Sequence, residues 1–301
     1  MKIQGVVNLL KPPGMTSHDA VILLRKIFKQ KRVGHTGTLD PAASGVLPVC
    51  VGKATRLAEY ALQYDKSYRA EMILGVETST QDMEGEILGV TDASSVSKEQ
   101  ICEIIKNFKG VIKQIPPAFS AVKHEGKKSY ELARKGLEVP LKKREVNIKK
   151  IDIVRFYPER PHPRAVLDIH CSKGTYIRTL CSDIGEQLGK CAALNFLIRT
   201  ASGPFDLEST VTIEELSHRG SKYLLPASYL VMDLPLLLLD RFDVKSISNG
   251  RQIIVRDINL CKDIPSNTQM RLMYNNKLVA IGLLVRNEKN EAIVKPKKVL
   301  V

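Results

Sequence analysis

The chain has no Cys-x-x-Cys pair and no apolar run approaching the ~18 residues of a membrane span. Its cysteines, Cys50, Cys102, Cys171, Cys181, Cys191 and Cys261, are spaced too widely for zinc ligation or a small disulfide scaffold and read as reduced thiols. The first eleven residues are too broken by polar side chains for a secretory signal, so a cytoplasmic location is expected. His35, His124, His162, His170 and His218 form no close pair with a carboxylate at metal-ligand spacing, and no metal is expected. Gly45 to Ala54 imitates a phosphate-binding loop, but six residues separate Gly45 from Gly52 where four are needed, and Ala54 stands where a Ser or Thr would bind magnesium. Nucleotide hydrolysis is thereby excluded. Internal repeats and low-complexity linkers are also missing.

Acidic residues are scarce relative to bases. Against 46 Lys and Arg stand 32 Asp and Glu, a net charge of +14, which points to an anionic partner, nucleic acid first and a membrane surface second. The charge is uneven: residues 123–150 hold ten Lys/Arg and four Glu, and the first sixty hold nine bases and three acids. Most charge runs are merely solvated faces, but the first of these also carries Tyr130, Gly126 and Gly136, as an arm lying over a nucleic acid would. With 301 residues, 44% of them hydrophobic, the chain suffices for two domains and a sizeable core.

Periodicity places the elements. Thr16-Ser17 can cap a helix with Ala20, Val21, Leu23, Leu24, Ile27 and Phe28 at helical spacing. From Lys66 the pattern alternates, with Tyr68, Ala70, Met72 and Leu74 on one face of a strand that ends at Gly75. Ser97 and Gln100 form a capping box for a helix that Gly110 should stop. Residues 165–171 read as a strand, turned by Ser172–Thr175 into a helix whose first turn holds Arg178. A cation there opposes the helix dipole, so either a carboxylate partner holds it or it reaches out to solvent or phosphate. From about Leu236 short apolar alternations broken by turn residues indicate a small β-rich domain, with the boundary at Met232–Pro235. Strands and helices mix without strict βαβ alternation, giving an α+β core over residues 1–235 with a basic insertion at about 116–150, and a β-rich unit over 236–301.

The most informative stretch is Gly34 to Pro48, a glycine-rich loop around one acid, Asp40, placed just after the basic run Lys29-Gln30-Lys31-Arg32. Gly34, Gly37 and Gly45 allow backbone conformations closed to other residues, and Pro41 pushes Asp40 toward extended φ/ψ. Asp-Pro alone is more often a turn starter than a site. Read together, however, His35 to Pro48 resembles the signature loop of the tRNA pseudouridine-55 synthases. Asn8 to Ser17 resembles that family's N-terminal motif, and Lys66–Ala70 with Leu74–Gly85 its tyrosine strand. Cys171–Leu180 and Leu197–Thr200 are similar to its remaining two motifs. The matches fall in order over residues 5 to about 205, with Thr38 and Ala42 as mild departures where Ala and Leu are more usual.

The resemblance implies isomerisation of uridine 55 in the tRNA T-loop without cofactor or metal, by a monomer that needs no protein partner. It implies a pseudouridine synthase fold: a mostly antiparallel sheet with the cleft across its middle, an inserted RNA-gripping arm, and a small β-barrel-like PUA-type domain at the C-terminus. Asp40 becomes the catalytic carboxylate and Arg178 its ion-pair partner. Tyr68, which alone would be read as core, faces the extruded uracil, and Tyr176 and Leu197 wall the pocket. His35, otherwise a turn-capping histidine, fills the space the flipped base vacates, and Lys11 and Lys173 hold phosphates. Two other readings stand beside this one: a non-catalytic RNA chaperone, against which the Asp40, Tyr68 and Arg178 set argues, and a guide-RNA-dependent or rRNA-modifying paralogue.

Overall fold

The computed structural model describes residues 3–117, 141–256, 261–288 and 290–300, together with the backbone of Lys123–His124 and Lys127–Lys128. Most of the expected basic insertion, residues 118–122, 125–126 and 129–140, lies outside them. Among the described residues the body is a nine-stranded sheet ordered Gly5–Lys11, Ser44–Val51, Ala192–Ser202, Lys66–Leu74, Arg164–Cys171, Arg144–Tyr157, Gly110–Gln114, with Val33–His35 and Phe205–Asp206 paired alongside. Every pairing is antiparallel except the one between Ser44–Val51 and Ala192–Ser202. That contact joins Ser44 to Ile198 and Gly45 to Arg199, and it brings the segment after Asp40 to the middle of the sheet.

Helices Ser17–Phe28, Lys98–Lys106 and Ile177–Gln187 pack on one face of the sheet around a single apolar cluster. Helix Ser17–Phe28 forms because Thr16 and Asp19 complete a capping box, and it buries Ala20, Val21, Leu24 and Phe28 at the expected spacing. The Ser97/Gln100 box also forms, but its helix ends at Lys106 rather than near Gly110, which instead opens a strand at a φ of +89°. Strand Lys66–Leu74 buries Ala70, Met72 and Leu74 toward the helices and leaves Arg69 outward, paired with Asp168.

From Leu236 the chain forms a separate five-stranded curled sheet with its own core. A helix, Arg241–Ser248, interrupts it, and the β-rich reading of this region did not include it. Its capping box is Asp240 with Asp243, an Asp-x-x-Asp variant of the more familiar Ser/Thr-x-x-Glu pattern. A third apolar cluster joins the two units: Val6, Val46, Cys50 and Phe205 pack with Ile281 and Leu300. The strand that leaves the Asp40 loop is therefore supported from behind by the C-terminal sheet.

Candidate active site

The Asp40 loop is fixed by its carbonyls. Lys11 is fully buried, and its Nζ donates to the carbonyls of Pro12 at 2.8 Å, Met15 at 2.6 Å and Pro41 at 3.1 Å. The Ser17 hydroxyl donates to the Leu39 carbonyl at 3.0 Å and accepts the Leu39 N–H at 2.8 Å. Arg199, 1% exposed, donates from Nε to the Val46 carbonyl at 2.7 Å, from Nη2 to the Gly37 carbonyl at 3.2 Å and from Nη1 to the Thr38 carbonyl at 3.4 Å. Gly45 must lack a side chain: at a φ of +108° its Cβ would overlap the backbone of Arg199.

Across the cleft, helix Ile177–Gln187 begins at Tyr176, whose N–H donates to Gln114 Oε1 at 3.1 Å and whose carbonyl accepts Gln114 Nε2 at 3.3 Å. This start projects Arg178 toward the loop. Its Nε lies 3.1 Å from Asp40 Oδ2, its Nη1 lies 3.2 Å from Asp82 Oδ2, and Nη1 also donates to the Thr80 carbonyl at 3.0 Å. A cation in the wrong helical turn is thus held by two carboxylates, and of the two readings open to the sequence the carboxylate partner is the one found. Asp82 is itself oriented by the Thr80 hydroxyl at 2.5 Å and the Glu84 N–H at 3.1 Å. Its turn is fastened to strand Ala192–Ser202 through the Leu194 N–H to the Gln81 carbonyl at 3.0 Å and the Met83 N–H to the Leu194 carbonyl at 3.1 Å.

Asp40, Asp82 and Leu197 line one cavity of about 140 Å³, with Ala42, Ala43, Leu194 and the partly exposed Met83 and Phe196 at its walls. Burial raises the Asp40 pKa above the usual carboxylate range and the Asp82 charge adds to this, while Arg178 and Lys11 oppose it. Tyr68 pairs with Arg199 across adjacent strands and shares a face with Leu197. Burial raises its phenol pKa, and the charge of Arg199 acts the other way. Among the described residues no group of three or more His, Cys, Asp or Glu converges as metal ligands.

The other candidates lie at various distances from this centre. His35 is half-buried in strand Val33–His35, and its Nδ1 accepts the Gly37 N–H at 3.3 Å, the turn-capping arrangement. Lys173 is exposed beyond the far strand ends, with its Nζ on Gln63 Oε1. Lys11 needs correction. Its ammonium has no surface to offer a phosphate, and burial pushes its pKa down to about 8. We expect Lys11→Met to cost about 2–3 kcal/mol in chemical denaturation, because the carbonyls it serves lose their donor. The slope of log Kd for RNA against log salt should stay unchanged; a slope smaller by about one would restore the phosphate role.

Reasoning from sequence assigned nothing to Asp82 or Arg199, although both lie inside motifs that carried the resemblance. The signal available for Asp82 was Arg178, a cation in a helical turn that disfavours it and so in need of carboxylate partners.

A sheet with a cleft at its middle, a carboxylate and guanidinium facing each other there, and a second curled sheet behind define the RNA pseudouridine synthase class. Solved structures agree. A chain of a Cbf5–Nop10–Gar1 complex superposes with a TM-score of 0.75 at 29% identity, covering 99% of this chain and 85% of that one. A chain of an H/ACA ribonucleoprotein bound to substrate RNA gives 0.73 at 26% identity, covering 99% and 85%. The N-terminal domain model of the TruB family of pseudouridylate synthases matches residues 25–177, and the tRNA pseudouridylate synthase B C-terminal domain model matches residues 178–231. Proteins named tRNA pseudouridine synthase B are similar at 42% identity in Alkaliphilus oremlandii, over 97% of each chain, and at 51% in Symbiobacterium thermophilum, over 78% of each. The chain belongs to the TruB family of pseudouridine synthases.

Proposed function

We propose that the protein isomerises uridine 55 in the T-loop of tRNA to pseudouridine, acting as a cytoplasmic monomer without cofactor. The observation that carries this is the 3.1 Å pair between Arg178 and Asp40 at the wall of a cavity closed by Leu197. The C1′–N1 bond is cut, the uracil turns, and C5 joins C1′ while its proton leaves and N1 gains one. Asp40 acts on the ribose, as nucleophile at C1′ or as base, and must be ionised in either role. Arg178 keeps it so and fixes its direction. Apolar walls such as Leu197 keep water from capturing the opened sugar. Tyr68 meets the uracil, Tyr176 extends the wall, and His35 takes the space the base leaves. Chain 1–235 serves as the catalytic domain, while the unit from 236, the insertion at 116–150 and Lys173 add contacts to the phosphate backbone.

The test is to incubate the protein with unmodified tRNA and map pseudouridine by carbodiimide-blocked primer extension. A stop at position 55 that disappears when uridine 55 is replaced by cytidine is expected. No stop, or stops only elsewhere, would replace this reading with that of an RNA chaperone or of a paralogue with another target.

A further inference from the structure

We infer that Arg199 is a positioning residue that ties the Asp40 loop to the strand carrying Tyr68, so that loop and phenol reach the pyrimidine as one rigid unit. The inference rests on the functional reading above and deepens it.

Three observations carry it. First, Gly45, Arg199 and Tyr68 stand in one row across three neighbouring strands, Gly45 paired parallel to Arg199 and Arg199 paired antiparallel to Tyr68. Second, the guanidinium holds the loop on both sides of Asp40, through the Gly37 and Thr38 carbonyls before it and the Val46 carbonyl after it. Third, these acceptors are neutral, yet the side chain is 1% exposed. Burying a cation without a carboxylate against it is costly, and a simple loop staple would not require the charge.

The charge does have a target. The Arg199 charge acts against burial at the Tyr68 phenol and favours the phenolate over the phenol. Burial lowers the pKa of Lys11, Lys66 and His35 first, and the Arg199 charge lowers each of them further. A lysine in this place keeps the charge but loses the planar fork, so it cannot span the three carbonyls at once. Asp40 thus takes its direction from two arginines: Arg178 grips the carboxylate, and Arg199 grips the backbone that carries it.

The experiment uses the full chain with R199K, R199Q, Y68F and Y68F/R199K. Single-turnover conversion of unmodified tRNA by R199K should fall about 100-fold, the loss a displacement near 1 Å brings, with tRNA Kd within about threefold of wild type. The double variant should be no more than about threefold slower than the slower single one, because both act through the same phenol. In protein labelled with 3-fluorotyrosine, the fluorine resonance absent from Y68F should titrate at higher pH in R199Q than in wild type. A structural staple would lower the melting temperature but leave that titration in place. R199K turnover within threefold of wild type, fold losses that multiply in the double variant, or an unmoved titration would each overturn the inference. If wild type makes no pseudouridine in tRNA, the functional reading fails, and the fluorine titration alone still decides whether Arg199 governs Tyr68.

Discussion

Asp40→Asn ends pseudouridine formation, by at least about 10⁴-fold in single-turnover conversion, while the protein stays folded and bound to tRNA. The amide matches the carboxylate in shape but can neither attack C1′ nor take a proton from the sugar. tRNA affinity should stay within about tenfold, since the phosphate contacts that dominate binding are untouched. Stability should not fall, and the sign follows from the shift at Asp40. Its folded pKa is raised, by burial first and then by Asp82 against the opposing charges of Arg178 and Lys11. The folded state therefore binds this proton more tightly than the unfolded one. The stabilisation is complete below the unfolded value of ~3.9 and is lost as pH rises through the folded value. At neutral pH the ionised carboxylate is a cost that Asn removes, and Arg178 keeps Asp82 and the Thr80 carbonyl as partners. The melting temperature at pH 7 should equal or exceed that of wild type. Turnover near the wild-type rate would refute the assignment of Asp40.

What the sequence made legible were features written in neighbouring residues. The Thr16 cap, the Ser97 capping box, the alternation from Lys66 and the turn before Arg178 all depend on spacings of a few residues, and the structure holds each of them. Arg178 was legible as an anomaly: its position on its own helix was unfavourable, so a partner from elsewhere was implied, and Asp40 is one of the two found. What stayed hidden depends on contacts between distant segments. Lys11 reads as a surface base until Pro12, Met15 and Pro41 aim three carbonyls at one point, the last from 30 residues away. Arg199 is one more basic residue in a basic chain until a parallel pairing places it against Gly45, 154 positions earlier. Helix Arg241–Ser248 was missed for a local reason, because its box uses aspartate at both ends. Spacing carried the scaffold and the family resemblance carried the carboxylate, whereas the second layer of charges around them emerged only from the fold.

Arg178→Gln should expose that second layer most directly, since it removes the cation standing between two carboxylates. Arg178 is 6% exposed, Asp82 15% and Asp40 42%. For a fully buried pair, losing one partner costs 3–5 kcal/mol; with the Asp40 oxygens still partly in water we expect about 1–3 kcal/mol in chemical denaturation. The larger effect falls on the chemistry. Asp40 loses the charge that favours its ionised form but keeps the burial and the Asp82 repulsion that oppose it, so its pKa climbs further. Turnover requires the anion. The acid limb of the single-turnover rate against pH should therefore move to higher pH, with a loss of about 10²–10³-fold at pH 7 that is partly recovered above it. tRNA binding should change little, because Arg178 faces the loop rather than the surface. A loss of the same size at every pH would mean that the guanidinium only aims Asp40 and does not keep it charged.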